Sequence, residues 1–258
     1  KNLLFSATFP EKVEILSEEF LEAPLKIEVT PQATTASTVT QRLFHVPNFR
    51  TKINLLAYLF ENEELQRTII FTRSKIVADN VYHFLERKVV GTENIRVIHA
   101  NKGQNTRINS IEAFKEGNIK VLVATDVAAR GIDIREVSHV INFDVPVIYE
   151  DYVHRIGRTG RAYHEGVAIT FVTEAEEYHV RKIEKIIQST IPTEELPADL
   201  EIAETPFEEK QLMLKEIDNQ RKKEDPTFKG AFHEKKNPPK TQSKSKKSTR
   251  KPKNTRRK

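Results

Sequence analysis

From Val39 to about residue 190, short apolar runs alternate with stretches in which apolar residues recur every three or four positions. The runs predict strands near 39–46, 67–72, 95–99, 119–124, 138–143 and 166–172. The helical spacing predicts helices near 50–61, 75–88, 105–116, 149–157 and 174–188. Val121-Leu122-Val123-Ala124 is apolar at consecutive positions, as a strand covered on both faces requires. Strands alternating with helices in this way predict an α/β fold, a parallel sheet with helices on both faces. The helix after Thr173 has Glu176 at capping-box spacing and Val180, Ile183 and Ile187 on one face for burial.

The flanks differ from this pattern. Leu3-Leu4-Phe5 predicts a buried strand, followed by Ser6-Ala7-Thr8. Pro10 suits a first helical turn, with Val13, Leu16 and Phe20 as a core-facing stripe to about Leu21. Residues 25–29 alternate as a strand, and the small and polar run 31–38 reads as a linker. Opening on a strand is the expectation for a piece whose first domain lies upstream. Residues 1–30 would be the end of that domain, and 39–190 a second one. Within 191–224, Glu194–Pro197 and Leu200–Ile202 read as extended. Thr205-Pro206 then opens a polar helix to about Glu224, bearing Phe207, Leu212, Leu214 and Ile217. So thin an apolar stripe leaves open whether this helix lies on the domain or is partly free. Residues 225–258 are nearly devoid of apolar side chains, and the expectation there is disorder.

Charge changes the reading of that tail. The chain carries +5 overall, but residues 225–258 hold 13 Lys and Arg against 2 Asp and Glu. The preceding 224 residues hold 29 against 35, so the basic character belongs to the tail alone. Such a tail can be a solubility element; an RNA tether acting by counterion release is the preferred expectation. Cysteine is absent, which excludes disulfides and thiolate metal sites, and the eight histidines show no paired ligand spacing. No apolar run approaches a membrane span and no leader opens the chain, so the expectation is a reducing, cytoplasmic compartment.

Candidate chemistry gathers at the ends of the predicted strands, where ligands of such sheets bind. Thr72-Arg73-Ser74-Lys75 follows the second strand, and Ala100-Asn101-Lys102-Gly103-Gln104 the third, with Arg107 three residues on. Thr125-Asp126-Val127-Ala128-Ala129-Arg130-Gly131-Ile132-Asp133 follows the fourth. Hydroxyls at helix starts can be plain caps, and an Arg/Asp pair can be an internal ion pair. The densest stretch is His154-Arg155-Ile156-Gly157-Arg158-Thr159-Gly160-Arg161, three arginines and a histidine in eight residues. At roughly 100° per residue, His154, Arg158 and Arg161 would share a cationic helix face opposite Tyr149, Tyr152, Val153 and Ile156. Guanidinium groups there suit a polyphosphate.

Together these strings resemble the DEAD-box RNA helicases. Residues 154–161 resemble motif VI, 124–133 motif V, Asn142–Pro146 motif Va, Gln104-x-x-Arg107 motif IVa, and Phe71–Ser74 motif IV, with Ser74 where threonine is usual. Ser6-Ala7-Thr8 resembles motif III, and the 160–172 run with the tail looks like a bacterial RhlE-type member. The resemblance covers about residues 1–190 and implies a second RecA-like domain. It implies that Ser74, Gln104, Arg107 and Thr125 hold the backbone of single-stranded RNA. By the same resemblance Asp133 reaches the ribose of ATP, with Gly131 beside it, and Arg158 and Arg161 are arginine fingers on its γ-phosphate. Ser6, Thr8, Arg130 and His154 couple this domain to an N-terminal RecA-like domain. The implied cofactors are ATP and Mg²⁺, the metal held through that other domain. The implied partners are RNA of any sequence and, as candidates, ribosomal or RNA-degradation complexes. A phosphate loop and a D-E-A-D string are absent from these residues. The chain alone is therefore expected not to hydrolyse ATP, and the full-length protein to do so. A pure RNA-binding scaffold and a DNA helicase are the competing readings; the arginines at 158 and 161 argue against the scaffold.

Overall fold

The computed structural model describes residues 3–4, 11–21, 25, 27, 39–130, 132, 134, 137–160 and 166–228. Helix α1 spans Glu11–Phe20. The domain that follows runs β1 (Val39–His45), α2 (Phe49–Asn62), β2 (Thr68–Thr72), α3 (Lys75–Lys88), β3 (Ile95–Ile98), α4 (Gln104–Lys115), β4 (Val121–Thr125), the single turn α5 (Asp126–Ala129), β5 (His139–Asn142), α6 (Glu150–Ile156), β6 (Gly166–Val172), α7 (Glu177–Ile187), the short β7 (Thr193–Glu194) and α8 (Phe207–Glu224). The strands form one sheet in the order β3-β4-β2-β5-β6-β1-β7, parallel at every pairing. This is the α/β arrangement that the alternating pattern implies, and the RecA-like sheet that the resemblance implies.

Successive strand residues point to opposite faces, which divides the core. Ile70, Val121, Val123, Ile141, Ile169 and Phe171 pack beneath α2 and α3 through Leu55, Leu56, Leu59, Val81 and Leu85. Their neighbours Ile69, Phe71, Leu122 and Ala124 face the other way, onto Phe114 of α4. Further along that face, Val39, Leu43, Ala168 and Val172 meet Tyr152 and Ile156 of α6 and Val180 and Ile183 of α7. Covered on both faces, β2 and β4 are buried at every position.

Three expectations change. Leu3 and Leu4 form no strand and are 80% and 49% exposed. The α1 stripe also fails to face a core, because Leu16 and Phe20 are 53% and 68% exposed. Apolar spacing shapes an amphipathic helix, but burial needs a surface to receive it, and the sheet's two faces are already taken by α2–α4, α6 and α7. Leu25 and Ile27 are likewise exposed, outside any strand. The linker at 31–38 and the tail beyond 228 lie outside the described residues.

Helix α8 lies on the domain, and its seat is polar. Gln220 Nε2 donates to Ala175 O at 2.8 Å, and Glu209 Oε1 accepts the N–H of Phe49 at 2.7 Å. Asn48, the N-cap of α2, accepts from Thr51 N and donates through Nδ2 to Ala203 O and Thr205 Oγ1. These bonds satisfy free N–H groups at the start of α2 and lash the segment before α8 to it. Phe207 and Leu212, two of the four apolar side chains of the expected stripe, stay 67% and 69% exposed.

Candidate nucleotide and nucleic-acid interface

Register aligns the carboxyl ends of the central strands: Thr72 pairs with Thr125, Phe71 with Asn142, and Ile98 with Ala124. The loops after β2, β3 and β4 therefore open on one edge. Ser74 caps α3 there, its Oγ accepting the N–H of Val77 at 3.2 Å. The hydroxyl is a cap as the plain reading requires, and its proton remains to be donated. Gln104 opens α4, and Arg107 Nη1 donates to Gln104 Oε1 at 3.2 Å while its Nη2 reaches Ala128 O at 3.2 Å. Arg107 thus ties the third-strand loop to the turn after β4. Thr125 ends β4 and precedes α5 without capping it through its side chain.

Asp126, the next residue, carries a pairing that the sequence does not reveal. Arg155 grips it with two parallel bonds, Nε to Oδ1 at 2.6 Å and Nη2 to Oδ2 at 2.8 Å. The other guanidinium nitrogen donates to Asn142 Oδ1 at 3.1 Å and Asp144 O at 2.7 Å, and the group stacks 5.1 Å from the Phe71 ring centroid. Arg155 is 2% exposed, so this arginine of the His154–Arg161 string is structural, buried and satisfied. Both residues stand inside legible strings, but their spacing of 29 positions gives no hint that they meet.

The helix face expected to carry His154 does not extend to Arg158. Helix α6 ends at Ile156, Gly157 and Gly160 turn the chain, and Gly160 has φ of +68°. Glycine needs little energy to leave a helix for this geometry, whereas the helical projection to Arg161 assumes five more residues of regular backbone. The buried face does form: Tyr152 and Ile156 are fully buried, and the Tyr152 hydroxyl donates to Gln41 Oε1 at 2.7 Å. Arg158 instead turns toward the loop after α5, Nη1 donating to Ile132 O at 2.6 Å. Arg161, Gly131 and Asp133, with Ser6 and Thr8, lie outside the described residues.

Arg130 and His154 do come together, through a residue that sequence reasoning missed. Asp151, 5% exposed, accepts Arg130 Nη2 at 2.6 Å and lies 3.8 Å from His154 Nδ1. The hydrogen bond to Asp151 raises the Arg130 guanidinium above its ordinary value. A second buried knot is tied to the loop after β2 through Arg73. Lys52 Nζ donates to Phe143 O at 2.7 Å, Glu176 Oε2 at 2.7 Å and Asp144 Oδ1 at 3.2 Å, and Arg73 joins Glu176 Oε1 at 2.9 Å. Burial pushes the Lys52 ammonium down, but Glu176 and Asp144 outweigh it and hold it above its ordinary value. For Asp144, burial acts upward, and the charge of Lys52 with the N–H of Arg73 brings the carboxyl below its usual range. Glu176 also closes the expected capping box with Thr173.

Residues 51–163 match the family described as the helicase conserved C-terminal domain. The DEAD-box ATP-dependent RNA helicase RhpA of Helicobacter pylori is 43% identical over 76% of this chain, which spans 39% of that relative's length. The structure of Escherichia coli DEAD-box protein SrmB bound to regulator of ribonuclease activity A (RraA) matches with a TM-score of 0.58 and 33% identity, over 65% of this chain and 97% of that one. Dbp5 of Saccharomyces cerevisiae, bound to RNA and ADP BeF3, matches with a TM-score of 0.61 and 31% identity, over 76% of this chain and 51% of that one. With a helicase C-terminal domain on a RecA-like sheet and the family's motifs at the strand ends, the chain belongs to the DEAD-box family of ATP-dependent RNA helicases, as a C-terminal part.

Proposed function

We propose that this chain is the RNA-gripping, arginine-supplying half of an ATP-driven RNA-unwinding or remodelling enzyme. Ser74, Gln104, Arg107 and Thr125 hold single-stranded RNA by phosphate and sugar, which makes binding independent of sequence. Arg158 and Arg161 face the γ-phosphate of ATP carried by an N-terminal RecA-like domain, where guanidinium groups stabilise charge on the transferred phosphoryl group. Gly131 and Asp133 lie toward the ribose, and Ser6, Thr8, Arg130 and His154 couple the two domains. Under this reading the chain contributes cations and hydroxyls to the shared site. Mg²⁺, under this reading, is held by carboxylates of the other domain. The SrmB structure with a regulator of ribonuclease activity supports RNA-degradation complexes as partners. Among the described residues no helix is long and apolar enough to cross a membrane, in keeping with a cytoplasmic enzyme.

The observation that carries the reading is the grip of Arg155 on Asp126. It fastens the stretch bearing Arg158 to the residue adjoining Thr125, which supports a reading in which the RNA edge and the ATP edge act together. The test is phosphate release with and without single-stranded RNA, by this chain alone and by the chain joined to its N-terminal domain. Only the joined protein should turn over, and more so with RNA. Robust turnover by the chain alone would overturn the reading.

A further inference from the structure

A buried histidine fastens the loop carrying Gln104 to the helix that Ser74 caps. His99 follows β3 and is 2% exposed. Its Nδ1 accepts the N–H of Asn101 at 3.3 Å, so the ring proton sits on Nε2, which donates to Asp79 Oδ1 at 3.0 Å. Asp79 belongs to α3, and the same oxygen lies 3.2 Å from Lys102 Nζ. The N–H of Lys102 returns to His99 O at 3.0 Å, closing a turn over residues 99–102. Lys75, the first residue of α3, donates from Nζ to Asn101 Oδ1 at 3.2 Å.

The chemistry of this knot exceeds what packing requires. A buried imidazole is costly unless both nitrogens are partnered, and here both are. An aliphatic side chain would fill the strand end without that demand, but it could not hold a backbone N–H on one side and a carboxylate on the other. The bonds run between the two segments that carry Ser74 and Gln104. A nucleic-acid backbone has a fixed phosphate repeat, so two groups that grip it must keep a fixed separation.

We propose that His99 is a positioning residue for RNA, holding the segment of Gln104 and Arg107 at a set distance from Ser74, with Asp79 as its anchor. The proposal rests on the RNA reading of Ser74, Gln104 and Arg107. His99 touches no RNA itself. Through the Asn101 N–H it shapes the turn from which Gln104 starts α4, and through Asp79 it fixes that turn to α3.

The test uses the full-length enzyme with a single-stranded oligouridylate, measuring the RNA concentration for half-maximal ATPase and kcat at saturating RNA. His99→Ala should raise the half-saturating RNA about tenfold, the scale of one charge-assisted hydrogen bond, with kcat changed less than about twofold. His99→Asn can accept the N–H two residues on in an Asx-turn but cannot reach Asp79, so it should recover little of the loss. Asp79→Ala should act like His99→Ala, while Asp79→Asn keeps an acceptor for Nε2 and should lie between. If His99→Ala does not fold, the partly exposed Asp79 variants carry the same comparison. Arg107→Ala is the control for the underlying reading. Weakened RNA use by Arg107→Ala with unchanged half-saturation in the His99 and Asp79 variants overturns the positioning role. So does a fall in kcat alone. Unchanged RNA use in Arg107→Ala as well brings down the RNA reading of this edge, and the proposal with it.

Discussion

Gly166, the first residue of β6, lies directly against Thr159, the hydroxyl of which donates to the carbonyl of Val137. A Cβ at position 166 would overlap Thr159 Oγ1, Thr159 Cβ and the backbone nitrogen of Gly160. Backbone cannot swing aside as a long side chain can, so the strand or the turn must shift. Gly166→Ala should destabilise the domain by about 2 kcal/mol, within the overpacking range. Because the displaced turn also carries Arg158, the full-length variant should lose ATPase while still folded. Urea unfolding with an ATPase assay checks both, and a neutral Gly166→Ala would refute the close approach.

Arg155 and Asp126 make a second prediction. Arg155→Ala strips a 2% exposed guanidinium from Asp126, Asn142 and the Asp144 carbonyl at once. Breaking a buried, fully bonded pair costs about 3–5 kcal/mol. Arg155→Lys keeps the charge but cannot form the two parallel bonds, so it should fall between wild type and alanine. The denaturation midpoint is the measurement, and equal midpoints for lysine and arginine would remove the importance of the fork.

The fold was legible where a residue's neighbours in sequence decide its environment. The runs at 69–71 and 121–124 are apolar because both sheet faces are covered, and the capping box at Thr173 is a local bond pattern. Helix α5 escaped notice because four residues complete barely one turn and leave no periodicity to detect. The helical placement of Arg158 failed because two glycines admit either continuation or a turn, and the contact with Ile132 that favours the turn comes from 26 residues away. Lys52 shows the same limit: in sequence it is one more surface lysine on a helix, and only the fold brings Glu176 to it. The site strings were readable by resemblance; the ion pairs that brace them were not.

Arg158 and Arg161 should be indispensable to turnover in the full-length enzyme. Removal of an arginine finger can cost on the order of 10³-fold or more in rate. Arg158→Lys and Arg161→Lys retain the charge and lose the planar fork, so a large fall in kcat isolates geometry as the cause. Single-stranded RNA affinity of the chain should barely move. Unimpaired ATP turnover in both variants would refute the assignment.

The Lys52 knot predicts how stability depends on pH. Asp144 is held below its usual range, so its contribution is present above the unfolded value of roughly 3.9 and is lost as pH falls through the lower folded value. Lys52 is held above its ordinary value, so its contribution is present below roughly 10.4 and is lost as pH rises through the higher folded value. Lys52→Met should destabilise by about 3–5 kcal/mol near neutrality, because two carboxylates lose their buried cation. The deficit should shrink as pH falls below the unfolded value of Asp144, roughly 3.9, toward its lower folded value. Urea unfolding of both proteins across pH is the check, and parallel profiles would show that the knot does not titrate.

The tail should supply most of the RNA affinity at low salt, while the domain supplies the geometry. Asp225 ends α8, Thr227 N–H bonds to Asp225 Oδ1 at 2.9 Å, and Arg221 lies over the Phe228 ring at 5.9 Å. A truncation that spares this end of the helix must begin at residue 229. It removes 13 Lys and Arg and a single Glu, leaving 29 basic against 36 acidic residues. A domain of net negative charge binds RNA through a few local donors such as Ser74, Arg107 and Thr125. A polycation binds any phosphate backbone by releasing counterions, and its affinity falls by roughly 0.7 log units per tenfold salt for each single-strand phosphate neutralised. Deleting 229–258 should therefore weaken RNA binding and flatten its dependence on salt. In the full-length enzyme it should raise the RNA concentration for half-maximal ATPase and leave kcat nearly unchanged, since no residue proposed to touch ATP is removed. RNA affinity at several salt concentrations, with and without the tail, decides the matter. An unchanged affinity and slope would make these residues a solubility element and nothing more.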